Sequence, residues 1–128
     1  GGEEKIRALV NSADEKLQNE IISELKTKDP LLAQKIEKSI VRLDIISSLD
    51  VSGLQLLIKQ VGTTVFGQVM KVLPANQQEK ILSVLPSGAA TRLKQEMELG
   101  KQITPQRLEI EKKRLLDIIR RMKERGLI

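Results

Sequence analysis

The sequence lacks both cysteine and histidine. Without cysteine, the chain has no disulfide, no thiolate nucleophile and no cysteine-ligated metal or iron–sulfur site. Without histidine, it has no imidazole base and no imidazole metal ligand. Nor does it contain a glycine loop of the kind that binds phosphates. Because most common enzyme designs are thereby excluded, we expect a protein that is not an enzyme and that uses no cofactor, no metal and no small-molecule substrate.

Aromatic residues are almost absent as well, since Phe66 is the single one in the chain. A core must therefore be built from leucine, isoleucine and valine, and all-helical packing is the natural way to do so. No segment alternates between apolar and polar residues for long enough to predict a strand. The predicted fold class is all-α.

Long apolar runs are also missing. The longest are far shorter than the roughly 20 residues that cross a bilayer, and no cleavable signal pattern opens the chain. These features predict a soluble, cytoplasmic protein. A chain of 128 residues with 40% hydrophobic content fits one compact unit or two small ones.

The positive charge is concentrated near the carboxyl end. The net charge is +5, and residues 101–128 contain 9 basic and 4 acidic side chains. A basic helix can neutralise phosphates, so a nucleic-acid-binding module is one interpretation. Against it, acidic residues interrupt the basic stripe, no aromatic platform for bases exists, and cations near a helix carboxyl end complement its dipole. We therefore expect no nucleic acid among the partners. The cluster comprises Arg120, Arg121, Lys123 and Arg125.

Capping residues and breakers divide the chain into short helices. Helix starts are predicted at Asp14, Asp29-Pro30, Asp50, Thr63 or Thr64, Asn76 and Thr104-Pro105, and stops at Gly62, Pro74, Gly100 and Gly126. Residues 44–50 give weak helical signals and are interpreted as a connector. Three successive short helices over 63–73, 74–85 and 86–99 are typical of stacked superhelical repeats.

Several motifs occur in a common order that is characteristic of one family. They are Gly1-Gly2, the segment KDPLLAQKIEKSI, the helix LDVSGLQLLIKQV, Glu79-Lys80-Ile81 and the terminal LLDIIRRMKERGLI. With these motifs the chain resembles, from Gly1 to Ile128, the carboxyl-terminal half of the FliG family of bacterial flagellar motor switch proteins. It looks like a divergent member or a FliG-like paralogue.

The resemblance implies a right-handed, armadillo-like stack of helices in two subdomains. Residues 1–43 look like the armadillo-type subdomain, 44–49 like a connector, and 50–128 like the carboxyl-terminal helical domain. The family's Met-Phe-x-Phe hinge corresponds here to Ile40, Val41, Arg42 and Leu43. Both phenylalanines are replaced.

Apolar stripes in the first subdomain predict a face that stacks on a neighbouring subunit, because so few helices rarely bury a continuous core alone. We expect self-association or stacking through this segment. The candidate stacking residues are Ile6, Leu9, Leu17, Ile21 and Ile36.

The family also carries a ridge of charged residues that faces the stator protein MotA. Two ridge positions keep a charge in this sequence, namely Lys71 and Glu96. Three others do not, since they are Gly88, Gln95 and Thr104. The structural alternative for Lys71 and Glu96 is that they are ordinary solvated charges on helix surfaces.

The resemblance therefore implies a rotor component that assembles into the switch ring and supports torque generation and switching of rotation. The implied partners are homologous subunits, MotA and the switch protein FliM. The implied location is the cytoplasmic face of the inner membrane, in the flagellar basal body. Besides nucleic-acid binding, one alternative stays open, a cytoplasmic regulatory domain related to the amino-terminal domains of magnesium transporters.

Overall fold

A computed structural model describes residues 2–128, and these fold into eight α-helices and one 3₁₀ helix with no strand. The prediction of an all-α fold is confirmed. The α-helices are α1 (Gly2–Ser12), α2 (Glu15–Lys28), α3 (Pro30–Ser39), α4 (Val51–Val61), α5 (Thr63–Met70), α6 (Ala75–Val84), α7 (Ser87–Leu99) and α8 (Pro105–Glu124). The 3₁₀ helix is Leu43–Ser48.

Four of the predicted helix starts are confirmed by side-chain caps. The capping oxygen in each case accepts a hydrogen bond from the backbone N–H three residues later, which satisfies one donor of the first turn. The N···O distances are 2.8 Å for Asp14, 3.2 Å for Asp29, 2.8 Å for Asp50 and 3.2 Å for Thr104.

Two local predictions are wrong. Asn76 does not cap α6, because the cap position is two residues earlier, at Pro74, and Asn76 is already the second residue of the helix. Helix α5 ends at Met70 rather than at Leu73. The residues after it continue in tighter turns, in which the N–H of Leu73 donates to the carbonyl oxygen of Met70 over 3.0 Å.

The chain divides into two compact units, one extending through Val41 and the other running from Arg42 to Ile128. In the first unit, α1, α2 and α3 bury a small aliphatic core of Val10, Ile22 and Ile36. The buried Gln18 side chain ties α2 to α1, since its Nε2 donates to the carbonyl oxygen of Val10 over 2.9 Å.

The second unit has the larger core. Its fully buried side chains come from the 3₁₀ helix and from all five α-helices of the unit, and they include Ile46, Leu54, Leu57, Phe66, Met70, Ile81, Leu93, Leu115 and Ile119. The 3₁₀ helix contacts α6, while α5 packs on both α7 and α8. Among residues 2–128, none of the helices combines the length and the apolar character that a membrane crossing requires.

Candidate interaction surfaces

The two charged ridge candidates differ in their surroundings. Lys71 follows α5 as its carboxyl-terminal cap residue and is exposed. Glu96 lies in the last turn of α7 and is half-buried. Within residues 2–128, neither side chain forms an ion pair. Lys71 is thus fully available to a partner, whereas Glu96 is only partly so.

Glu96 is half-buried because α7 lies very close to α5. The carbonyl oxygen of Glu96 accepts hydrogen bonds from Gly100 N, at 2.9 Å, and from Gln68 Nε2, at 3.3 Å. A Cβ placed on Gly67 would lie 3.0 Å from the Cβ of Glu96. We call these four residues the α5–α7 joint. Glu96 therefore has a packing role that its sequence position does not reveal.

The remaining ridge positions present a neutral surface. Gly88 and Gln95 are exposed on α7, and Thr104 is exposed and caps α8. The charged residues near them on α7 are Arg92 and Lys94, which are exposed, and Glu98, which is exposed as well. With the half-buried Glu96 included, α7 has two basic and two acidic residues, and so no excess of either sign.

The candidate stacking residues fall into three groups. Leu9 and Leu17 are 55% and 43% exposed. Ile6 and Ile21 are partly buried against the core of the first unit. Ile36 is fully buried in that core, so it cannot take part in a contact made by the surface of the folded unit. Leu31, on α3, is a large exposed apolar residue that the sequence reasoning left out.

The candidate hinge residues span the boundary between the two units. Ile40 caps the carboxyl end of α3 and packs partly on the first core, and Val41 is buried. Arg42 is extended, and Leu43 begins the 3₁₀ helix. The predicted connector, residues 44–49, comprises that 3₁₀ helix without its first residue, followed by Leu49. Its role as a hinge stays a prediction.

Helix α8 holds a group of charges that the sequence reasoning missed. Glu111 is only 7% exposed, and its two carboxylate oxygens lie 3.8 Å from Arg107 Nε and 3.6 Å from Arg114 Nη1. The spacing of four and three residues puts the three side chains on one side of the helix. That spacing was visible in the sequence, but the burial of Glu111 depends on tertiary packing.

Comparison with known proteins gives consistent matches. A family model described as the FliG C-terminal domain matches residues 23–128. Over all 128 residues, the chain is 28% identical to the flagellar motor switch protein FliG of Borreliella burgdorferi and 27% identical to that of Thermotoga maritima. It spans 37% and 38% of the length of those relatives.

A crystal structure of part of FliG from H. pylori has a similar fold. The TM-score is 0.64 at 19% sequence identity, and the match covers 100% of this chain and 60% of the other. This likeness concerns the fold alone, whereas the family model rests on sequence and covers most of the chain. The chain belongs to the FliG C-terminal domain family.

Proposed function

We propose that this protein is a component of the flagellar motor switch and that it acts by binding other proteins rather than by catalysis. The match of the FliG C-terminal domain model to residues 23–128 carries the proposal. Whole-chain likeness to relatives named flagellar motor switch proteins supports it. The proposed location is accordingly the flagellar basal body, at the cytoplasmic face of the inner membrane.

Within that role, residues 1–43 form the part that stacks on a homologous subunit of a switch ring. The exposed leucines Leu9 and Leu17 support this assignment, since large apolar side chains left exposed on a surface favour a protein contact. Residues 44–49 and the hinge residues before them allow the two units to change orientation when rotation switches. FliM is the further switch protein that we expect to bind.

Lys71 and Glu96 are the two charged residues that remain for a contact of the family's kind with the stator protein MotA. Exposed charges are worth little individually, roughly 0 to 1 kcal/mol, but they align a partner that passes repeatedly. Because Gly88, Gln95 and Thr104 are neutral, most of the charges that would align the stator are missing. The protein is therefore a specialised paralogue with a structural or regulatory part in the motor, or a switch protein whose stator contacts have moved.

Deletion and complementation in the source bacterium test these statements. We expect deletion of the coding sequence to impair swimming or its directional control, and the wild-type sequence to restore it. Because the ridge has lost most of its charge, Lys71→Glu and Glu96→Lys should each restore swimming to near the wild-type level. Lys80→Glu and Glu98→Lys are matched controls, since both residues are exposed charges on neighbouring surfaces.

The outcomes separate the possibilities. One outcome is that both ridge reversals abolish swimming while the controls do not, with normal protein level and ring assembly. Ordinary torque generation through Lys71 and Glu96 would then be established, and the proposed loss of electrostatic alignment of the stator would be wrong. If deletion has no effect on swimming or its direction, the motor role itself is wrong. Copurification with nucleic acid alone would favour the nucleic-acid-binding alternative.

A further inference from the structure

Three arginines lie along one edge of α8, and a fourth follows the helix as its carboxyl-terminal cap residue. We call Arg107, Arg114, Arg121 and Arg125 the arginine edge. Seven residues are nearly two helical turns, so the first three are in line about 10 Å apart, and Arg125 follows one turn later. Arg107 and Arg114 have side chains that are 60% and 52% exposed. Arg121 and Arg125 are exposed as well. The edge is therefore accessible along the whole helix.

The hydrogen-bond donors of this edge are largely unused. At 3.8 Å and 3.6 Å, Arg107 and Arg114 are attracted to Glu111 but lie beyond hydrogen-bond distance from it. Arg121 and Arg125 take part in no ion pair within residues 2–128. Each guanidinium has five N–H donors and matches a carboxylate in two-pronged geometry. The edge therefore offers binding positions for a row of carboxylates.

Glu111 positions two members of the edge before any partner binds. It is buried between Arg107 and Arg114, and its Oε2 accepts no hydrogen bond within the described part of the chain. Its negative charge lowers the repulsion between the two guanidinium groups and restricts their side-chain rotamers. A contact to groups that are already restricted loses less conformational entropy when it forms.

A second row of residues beside the edge defines the shape of the partner. Ile110, Asp117 and Glu124 also recur every seven residues on the outer side of α8. Asp117 is paired with Arg120, whose Nη2 lies 2.7 Å from its Oδ1, whereas Glu124 is exposed and has no ion pair within residues 2–128. Glu124 would face a membrane surface or a nucleic-acid backbone together with the arginines and would repel it. A partner as narrow as a single helix can instead contact the arginine edge alone. Ile110, which is 64% exposed and lies between Arg107 and Arg114 in the sequence, offers an apolar contact beside the edge.

We propose that the arginine edge docks an acidic α-helix of a partner protein, with carboxylates seven residues apart paired to Arg107, Arg114 and Arg121. An α-helix has the required width, and its seven-residue repeat matches the spacing of the edge. The contact is electrostatic, so it weakens as the salt concentration rises. This inference rests on the charges of α8 and not on the proposed motor role.

Fluorescence anisotropy with two synthetic peptides of about 20 residues tests the inference. The first peptide is an alanine-rich helix with glutamates every seven residues, and the second has the same composition with the glutamates scattered around the helix. We expect the full chain to bind the first peptide more tightly. Arg121→Gln with Arg125→Gln should weaken that binding about tenfold, through the loss of the charge-assisted contact of Arg121 and of the positive charge of Arg125 next to it.

Lys113→Gln with Lys123→Gln is the matched control, because it removes the same charge from exposed positions of the same helix. It should change binding by less than about twofold, since both lysines lie off the edge. The Arg121 and Arg125 variant leaves Glu111 and its neighbours intact, so we expect it to fold normally, as circular dichroism can verify.

Four results would overturn the inference: no binding of the regular peptide, equal binding of both peptides, an equal loss in the lysine control, or tighter binding to another probe. The other probes are phosphatidylcholine vesicles containing phosphatidylglycerol, a DNA duplex, and the protein itself in sedimentation velocity. No flagellar protein is present in the assay, so a result that overturns this inference would not contradict the proposed motor role.

Discussion

Gly100 is the residue at which the α5–α7 joint leaves the least room. A Cβ there would overlap the carbonyl oxygen of Glu96 and would lie 2.8 Å from its carboxylate and 3.1 Å from Gln68 Nε2. The backbone at Gly100, with φ −68° and ψ 150°, is open to any residue. Glycine is therefore required at position 100 because a side chain would not fit there, and not because of the backbone conformation.

We expect Gly100→Ala to lower the free energy of unfolding by about 1 to 3 kcal/mol, the usual cost of overpacking. Gly88→Ala is the control, because a Cβ there meets only Arg92 Nη1, at 3.6 Å, and alanine has the higher helix propensity. The control should be neutral or slightly stabilising. Urea unfolding of both variants measures the difference, and equal stability of the two would contradict this account of the joint.

Residues of this kind could not be predicted from the sequence. The caps at Asp14, Asp29 and Asp50 were predictable because an N-cap acts on a backbone N–H three residues away. The contact between Gln68 and Glu96 joins residues 28 positions apart, and it exists only when α7 is packed on α5. Sequence reasoning therefore identified Glu96 as a candidate surface charge and missed its packing role.

At the scale of the elements, one residue joins two helices of the first unit. The backbone N–H of Asp29 donates to the carbonyl oxygen of Leu25 at the end of α2, and its side chain accepts from Leu32 N at the start of α3. Pro30 follows at the first helical position, where its missing N–H costs nothing.

Asp29→Ala should destabilise the protein by about 1 kcal/mol, through loss of the side-chain cap of α3. Asn76→Ala serves as the comparison, since Asn76 follows the start of α6 and does not cap it. Its effect should be well under half as large. Thermal unfolding monitored by circular dichroism at 222 nm is sufficient, and a larger loss in the Asn76 variant would show that the assignment of caps is wrong.

Which residues of each helix are buried was less predictable than the existence of the helices. Helical periodicity grouped Leu9 with Ile6 and Val10 as one apolar stripe, but only Val10 is fully buried. A three-helix unit is too small to cover every residue of such a stripe, and which residues it covers is decided by packing between helices. The same reason explains why the burial of Glu111 on α8 was not foreseen.

At the scale of the whole molecule, the first unit has large apolar residues that remain exposed. Its core cluster contains three large aliphatic residues, while Leu9, Leu17 and Leu31 are exposed. The order of motifs along the chain predicted the family correctly, because that order does not depend on details of packing. The subdomain boundaries and the stacking face stay predictions.

Leu9→Glu with Leu17→Glu should reduce self-association of the chain, since charged residues would replace the apolar side chains of the proposed stacking face. Leu99→Glu is the matched control, because Leu99 is an exposed leucine of the second unit. Sedimentation velocity over a range of concentrations measures the effect. A wild-type chain that stays monomeric at high concentration, or an equal loss in the control, would exclude stacking through this face.

The most direct test of the proposed motor role is site-specific photo-crosslinking in living cells of the source bacterium. A photoreactive amino acid at position 9 forms crosslinks to the partner of the first unit. One at position 99, an exposed site of the second unit, is the control. We expect mass spectrometry to recover flagellar switch proteins crosslinked to position 9 in assembled motors. Recovery of only ribosomal proteins or nucleic acid from that position would contradict it.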